Sequence, residues 1–475
     1  MATSYLQRTV GTPTNAQKYT YSFWVKRCEL SDGVKEAFLL DGYADGSNRA
    51  KIAFQSTEQL EIWNKDGGSN TFALNPPRKF RDVSAFYHIV LSVDTTQATA
   101  SDRVKLYING VQETNLGSTT YPSQNDANNT INESGTTFSI QAYGGNASSN
   151  DYRLDSLLTH IHFTDGYAYD ASTFGETDST SGIWKPKTAP SVTYGNNGFF
   201  LKFENSGAMG TDSSGNSNTF TVSGNLTQNV DTPSNVFTIL NRLQRSRKNT
   251  NNGGDYLFKG NLTFDTSSAN GMMAVVLGTM GVQSGKYYWE YKVITNTRLE
   301  VGISQANVMG FTDPYYDLQT FSTIAMNSSG NIKGRFIGGS SWDDYATGTS
   351  NTTNDIIGLA LDMDNKALYI HKNGTYLSNG TAVGVPTSGS SRTGSLIEPF
   401  AGSRDDYIPD GEFIFPYVHD VSTTGVAKAE FNFGQGYFGT TAVASAGTSP
   451  SGGGIFEFDC PNGYQALCTK GINSF

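Results

Sequence analysis

Short segments that alternate apolar and polar residues, each closed by a turn signal, recur along this chain. Tyr19-Thr-Tyr-Ser-Phe-Trp-Val, Lys51-Ile-Ala-Phe-Gln and Leu60-Glu-Ile-Trp all keep a period of two. That period places successive side chains on opposite faces of a strand and cannot make a helical stripe. Tyr87-His-Ile-Val-Leu-Ser-Val-Asp94 follows, then an excursion from Thr95 to Asp102, then Arg103-Val-Lys-Leu-Tyr-Ile-Asn-Gly-Val. Asn109-Gly110 suits a tight hairpin, whose two turn positions both need positive φ. The same plan returns far downstream. Asp355-Ile-Ile-Gly-Leu-Ala-Leu-Asp-Met-Asp364 leads into Asn365-Lys-Ala-Leu-Tyr-Ile-His-Lys-Asn-Gly374. With 475 residues, one core is too small for the chain. The expectation is an all-β protein: two antiparallel, jelly-roll-like β-sandwiches in tandem, spanning residues 1–203 and 256–436. A loop-rich connector occupies 204–255, and a Gly/Ser-rich linker with a small terminal segment occupies 437–475. The only helix expected is a short one near Asn235 to Leu243.

Glycine is abundant at 52 residues and charged residues make up only 16%, which favours strands and turns over helices. A net charge of −10 repels polyphosphate, so no nucleic-acid partner is expected. The one basic cluster, Arg242, Arg245, Arg247 and Lys248, reads as a solvated linker face. The longest apolar run, near Met272 to Leu277, is too short to cross a bilayer, and the first residues lack the apolar core of a secretion signal. Three cysteines, Cys28, Cys460 and Cys468, are too few for a disulfide framework and read as buried thiols of a chain folded in reducing cytosol, with a Cys460–Cys468 pair as the alternative.

Two resemblances rest on ordered motifs. Tyr21-Ser-Phe-Trp-Val, Phe86-Tyr-His-Ile-Val-Leu-Ser-Val-Asp, Val104-Lys-Leu-Tyr-Ile-Asn-Gly-Val and Leu157-Leu-Thr-His-Ile-His-Phe-Thr-Asp together resemble a concanavalin A-like, laminin-G-type jelly roll. Gly285-Lys-Tyr-Tyr-Trp-Glu-Tyr-Lys-Val, Glu300-Val-Gly-Ile-Ser, the 356–374 hairpin, Glu398-Pro-Phe with Phe415-Pro-Tyr, and Ala429-Glu-Phe-Asn-Phe-Gly434 are similar to a SPRY (B30.2-type) domain. The whole layout also resembles marine-phage virion proteins that join these modules, through Gly210-Thr-Asp-Ser-Ser-Gly-Asn, Asp231-Thr-Pro233 and Cys460-Pro-Asn-Gly-Tyr-Gln-Ala-Leu-Cys-Thr. This last resemblance implies a location on a bacteriophage particle, as tail fibre, appendage or capsid decoration. Such a protein is made in the host cytoplasm and released by lysis.

Bacterial glucanases of the jelly-roll superfamily carry two glutamates and an aspartate on one strand, where alternation aims all three carboxylates at one bond. Glu457-Phe-Asp459 has the first half but continues into Cys460-Pro461, and Glu61 to Asp66 lacks the alternation. There is no Gly-x-Ser-x-Gly elbow, P-loop or Rossmann glycine pattern. The chain is therefore expected not to be an enzyme and to hold no cofactor. Calcium is the one exception weighed, since jelly-roll modules often bind it at a loop rim through hard oxygen ligands. Asp41, Asp45, Asn48 and Asp66 lie in stretches read as loops that could converge on such an ion. His160 and His162, two apart on a strand, could share a face and a metal, but no further cluster accompanies them.

Recognition is instead assigned to sandwich loops, which vary without unfolding their scaffold. Three long connections stand out in the second module: Phe311 to Leu318, Gly338 to Thr353 and Gly402 to Glu412. They carry Tyr315, Tyr316, Trp342, Asp343, Asp344, Tyr345, Arg404, Asp405 and Tyr407, aromatic rings beside charges that suit sugar or protein contacts. Trp24, Trp63 and Trp289 read as core, and Trp184 as a pin for the connector. The expected partners are other virion proteins and a host-surface glycan or receptor. A homo-oligomer, and specifically a trimer, is the expected assembly. Two alternatives are a purely structural virion component and a glycan depolymerase.

Overall fold

The computed structural model describes residues 4–30, 36–146, 155–248, 255–267, 273–305, 323–335, 343–346, 349–397, 407–421, 425–450 and 453–474. The chain forms two units, Met1–Gln228 with Thr232–Ser234, and Asn229–Asp231 with Asn235–Phe475. Both are antiparallel β-sandwiches, as expected.

In the first unit, an eight-stranded sheet runs in the spatial order Ser118–Thr120, Ser69–Asn75, Leu60–Asp66, Arg49–Phe54, Ala37–Tyr43, Thr137–Ile140, Tyr5–Thr9 and Thr221–Ser223. A six-stranded sheet runs Phe199–Leu201, Ser156–Asp165, Lys18–Arg27, Tyr87–Asp94, Val104–Ile108 and Val111–Gln112. The apolar rows of both meet in one core that includes Phe23, Leu40, Ile62, Leu91, Phe138 and Phe163. Asn109 (φ 50°) and Gly110 (φ 84°) make the tight hairpin that the sequence demands. The Asn109 carboxamide also accepts the backbone N–H of His88, which fixes the hairpin against its neighbour. Asn373 (φ 49°) and Gly374 (φ 83°) repeat the device in the second unit, with Asn373 accepting from the N–H of Ile356.

Neither sheet of the first unit keeps a wet outer face throughout. Ala171, Phe174 and Trp184 cover Val90 and Tyr107 on the outside of the six-stranded sheet. Trp24 lies on that outer side, stacked on His88 with ring centroids 4.4 Å apart. Trp63 lies on the outside of the larger sheet, flanked by Arg49, Lys51 and Lys65. The two tryptophans are buried, but in satellite layers and not in the central core where the sequence reading put them.

The second unit pairs a seven-stranded sheet with an eight-stranded one. The first runs Leu240–Lys248, Met273–Gly278, Phe415–Asp420, Leu299–Ser304, Thr323–Met326, Asn331–Arg335 and Asp343–Ala346. The second runs Leu257–Phe258, Thr263–Asp265, Ala427–Asn432, Lys286–Asn296, Ile356–Asp362, Ala367–Lys372 and Thr375–Tyr376, with Gln465–Ala466 added parallel to Lys286–Asn296. Trp289 is fully buried here.

Two stretches read as connectors belong to the sandwiches. Phe220 enters the first core and Thr221–Ser223 pairs with Tyr5–Thr9. The helix expected near Asn235 to Leu243 does not form. Thr238 N–H donates to the Leu467 carbonyl and Thr279 N–H to that of Ile239, so the segment runs extended into an edge strand. Arg242 is not part of a solvated face: it is buried and paired with Asp255.

The terminal segment is likewise structural. Phe456, Cys460, Tyr464 and Cys468 bury themselves against Tyr288, Ala360, Ala367 and Tyr369. The two alanines leave room for the rings beside them. Glu290 anchors this strap by accepting the N–H groups of Glu457 and Phe458, each at 2.8 Å. Gly374 N–H donates to His371 Nδ1, which leaves the proton on Nε2 to donate to Tyr288; Tyr288 O–H in turn donates to Glu290. Cys28, Cys460 and Cys468 are buried cysteines outside any disulfide, as expected. Among the described residues, no helix is long and apolar enough to cross a membrane.

Candidate functional site

Strand register brings together the strand ends that flank the loops singled out in the sequence. Ser304 pairs with both Thr323 and Phe415, Thr323 pairs with Arg335, and Gly334 pairs with Asp343. Ser304, Thr323, Arg335, Asp343 and Phe415 therefore lie at one end of the seven-stranded sheet. Tyr315, Tyr316, Trp342, Arg404 and Asp405 lie outside the described residues. Asp343, Asp344 and Tyr345 are not in a loop. They form the edge strand Asp343–Ala346, because the backbone groups of Asn331–Arg335 on that side offer a hydrogen-bonding partner. Asp344 stands opposite Lys333, and Tyr345 opposite the buried Ile332. Tyr407 is 1% exposed, packed inward and not presented as a contact. Phe413, which the sequence reading passed over, is 50% exposed at this same end, beside the Val282–Ile414 bridge.

A second set of polar groups, also missed in the sequence, lies on the sheet face turned away from the sandwich core. Leu277, Tyr417, Gly302, Ala325 and Lys333 form one row across four neighbouring pairings, and Val275, His419 and Glu300 form the next. Tyr417 packs with Val275, Leu277 and Ala325. His419 Nδ1 stands 3.7 Å from Glu300 Oε2, and Lys333 Nζ 3.7 Å from Glu300 Oε1, both wider than a hydrogen bond. His419 is 2% exposed and Tyr417 is fully buried, yet neither ring nitrogen nor the phenol oxygen has a hydrogen-bond partner. Burial pushes the Tyr417 hydroxyl well above the ordinary phenol range. The only sequence signal was alternation: Tyr417 and His419 are two apart on one strand, and so are Glu300 and Gly302.

The calcium candidates of the first unit each carry hydrogen bonds within the protein. Asp41 sits in a strand, not a loop, and accepts from Arg49 Nε and the Gly144 N–H at 2.7 Å each. Asp45 closes its own turn onto Ser47 and Asn48, Asn48 accepts from Gly67, and Asp66 accepts from Asn128. His160 and His162 are separated by a β-bulge with His160 at φ 46°. His160 bonds Thr159, whereas His162 bonds Tyr194 and stacks on Phe200 at 3.8 Å.

Ser22 Oγ lies 2.9 Å from His88 Nε2, a spacing that suggests a nucleophile and its base. The third partner argues otherwise. Trp184 Nε1–H donates to His88 Nδ1 at 3.0 Å, so the ring's proton sits on Nε2 and points at Ser22. A neutral imidazole in that tautomer cannot take the serine proton. The triad is a pin for the outer layer, so Trp184 fixes that layer to the six-stranded sheet. Trp184→Phe is expected to lower the stability of the first unit by about 1–2 kcal/mol, by orphaning buried Nδ1. Denaturant titration measures it, and an unchanged midpoint would count against the pin.

Burial drives the imidazole of His88 down to about 3 and that of His160 to about 4, with His162 also well below its ordinary range. Each group stays neutral in the fold, so its contribution is present above about pH 6.5 and is lost as pH falls through the folded value. Asp41, raised to about 6 by burial, acts in the opposite sense: its contribution is present below about pH 4 and lost as pH rises through 6. Three imidazoles outweigh one carboxyl. In the second unit His371, lowered to about 4, opposes Glu290, raised to about 7. Calorimetry at pH 7 and pH 4.5 should therefore show the first unit losing more stability on acidification than the second. An unmoved first-unit transition would contradict this.

Comparison with known proteins fits this geometry. Residues 1–163 match the concanavalin A-like lectin/glucanases superfamily, and residues 286–391 match the SPRY domain family. The chain thus carries an amino-terminal concanavalin A-like domain and a carboxy-terminal SPRY domain. No curated protein matches it. Among solved structures, the SPRY domain of human HERC1 is 17% identical, covering 40% of this chain and 96% of its own, with a TM-score of 0.26. Domains LG4-5 of the mouse laminin alpha1 chain are 7% identical over 90% of this chain and 85% of their own, with a TM-score of 0.28. A heptameric SAP-like pentraxin from Limulus polyphemus is 13% identical over 39% and 86%, with a TM-score of 0.26. Domains of these two kinds point to carbohydrate or protein binding.

Proposed function

We propose that this chain is a non-catalytic binding protein carried on a bacteriophage particle, where its second sandwich engages a host-surface glycan or receptor. The observation that carries the reading is the union of two binding-type domains in one chain. Supporting it, the one serine–histidine pair described in the first unit is held in a tautomer that cannot act as a base. Recognition uses the loop end marked by Ser304, Arg335 and Phe413. The chain works without a resident cofactor, contacts other virion proteins and assembles as a homo-oligomer, with a trimer favoured. Its charge of −10 keeps it off nucleic acid.

Cryo-electron microscopy of the intact particle, with mass spectrometry of its proteins, tests the location. The chain should be traced on the outside, with the loop end of the second sandwich facing solvent. That end buried against neighbouring subunits would favour a purely structural component, and absence from the particle would refute the location.

A further inference from the structure

An asparagine followed by glycine is open to attack by its own backbone, because a glycine nitrogen, with no Cβ beside it, can approach the neighbouring carboxamide carbon. The attack needs both groups at liberty. Asn109, Asn197, Asn252, Asn270, Asn373, Asn379 and Asn462 each precede a glycine, and Asn252 and Asn270 lie outside the described residues. Four of the others are held. Asn109 accepts the His88 N–H at 2.8 Å, and the Trp184 ring lies against Gly110. Asn197 is buried and bonded both ways to the backbone of Gly11. Asn373 accepts from Ile356 and donates to Asp355, while Gly374 N–H donates to His371. Asn379 accepts the N–H groups of Thr381 and Ala382, and Gly380 N–H donates to Ser378. Asn462 differs. It and Gly463 are exposed, in a turn that Tyr464 closes by donating its N–H to the Pro461 carbonyl at 3.0 Å. Among the described residues, neither the Asn462 carboxamide nor the Gly463 N–H has a hydrogen-bond partner. Gly463 sits at φ 85° with open space where a Cβ would stand.

We propose that Asn462 is a site of spontaneous deamidation, a modification that ages the strap completing the second sandwich. The Gly463 nitrogen bonds to Asn462 Cγ, the Cγ–Nδ2 bond breaks, and Nδ2 leaves as ammonia, carrying the proton that the Gly463 nitrogen gave up. The resulting five-membered succinimide takes up one water from solvent. Opening at Cγ gives aspartate on the native backbone. Opening at the main-chain carbonyl gives isoaspartate, whose backbone runs through the side chain and is one carbon longer. Neither step needs an oxidant or a reductant. The added carbon falls between Cys460 and Tyr464, two residues buried in one cluster. Tyr464 is fixed further by its hydroxyl, which donates to the Pro386 carbonyl at 3.1 Å. A turn closing between two held residues cannot take the extra length without moving one of them.

The test holds the full chain at 37 °C and pH 7.5 and follows each Asn-Gly peptide by mass spectrometry, with isoaspartate distinguished by electron-transfer fragmentation. Asn462 should convert about tenfold faster or more than Asn109, Asn197, Asn373 and Asn379, each of which must first break its own hydrogen bonds. In urea the five should convert at comparable rates. Calorimetry of the aged chain should show the second-sandwich transition lowered by about 2–4 °C. Asn462→Gln, whose longer side chain closes a six-membered ring far more slowly, should keep that transition at its fresh value. Conversion of Asn462 no faster than the four held asparagines would overturn the site. The same ranking surviving in urea would trace it to neighbouring sequence and overturn the structural argument. Conversion at Asn462 with an unmoved transition, or an equal fall in Asn462→Gln, would overturn the effect on the strap.

Discussion

A chain ending at Gly454 is expected to lose the cooperative unfolding transition of its second sandwich while keeping that of the first. The strap that follows buries Phe456, Cys460, Tyr464, Leu467 and Cys468, each 2% exposed or less. Burying a large apolar side chain contributes about 1.5–3 kcal/mol, so Phe456, Tyr464 and Leu467 alone represent roughly 5–9 kcal/mol. That is comparable with the about 5–15 kcal/mol that separates a typical folded domain from its unfolded state. Deletion also strips Glu290 of two backbone donors. The backbone bonds of Thr238 to Leu467 and of Thr469 to Val236 go with it. Differential scanning calorimetry of the full and shortened chains reads the effect. Two transitions should become one; a second transition surviving within about 5 °C of its original midpoint would show the strap to be dispensable.

The largest single-residue effect is expected from Asp165→Ala in the first unit. Asp165 is fully buried and accepts from Thr14 N–H at 2.7 Å, Asn15 N–H at 3.3 Å, Asn132 Nδ2 at 2.8 Å and Asn197 N–H at 3.1 Å. It ties together four segments that are distant in sequence. Alanine leaves four donors facing an apolar methyl group, at a cost of about 3–5 kcal/mol. Asp165→Asn keeps the shape but must turn an N–H toward at least one donor, and should cost roughly half as much. Urea titration followed by tryptophan fluorescence measures both. A loss under about 1 kcal/mol for alanine would mean that water replaces the carboxylate readily.

Much of the architecture is legible from local chemistry. The Asn-Gly turns at 109–110 and 373–374 need positive φ wherever they occur, so they mark hairpins without help from tertiary structure. What stayed hidden depends on contacts distant in sequence. Trp24 and Trp63 obey strand alternation, but both sheet faces are covered in this fold, so alternation does not say which face is the core. Residues 235–243 suit a short helix in isolation, and only the carbonyl of Leu467 and the free edge of Met273–Gly278 make them extended. Asp41 looks like a loop carboxylate until its pairing with Lys51 and Ser139 places it mid-sheet. Glu300 and His419 are over a hundred residues apart, so no spacing rule connects them; only the register of Leu299–Ser304 against Phe415–Asp420 does.

The most direct test of binding without chemistry is to incubate the purified full chain with host-surface polysaccharide, following retention and new reducing ends together. Saturable retention with no increase in reducing ends is the predicted result. Steady release of oligosaccharides, abolished by heat denaturation of the protein, would contradict it.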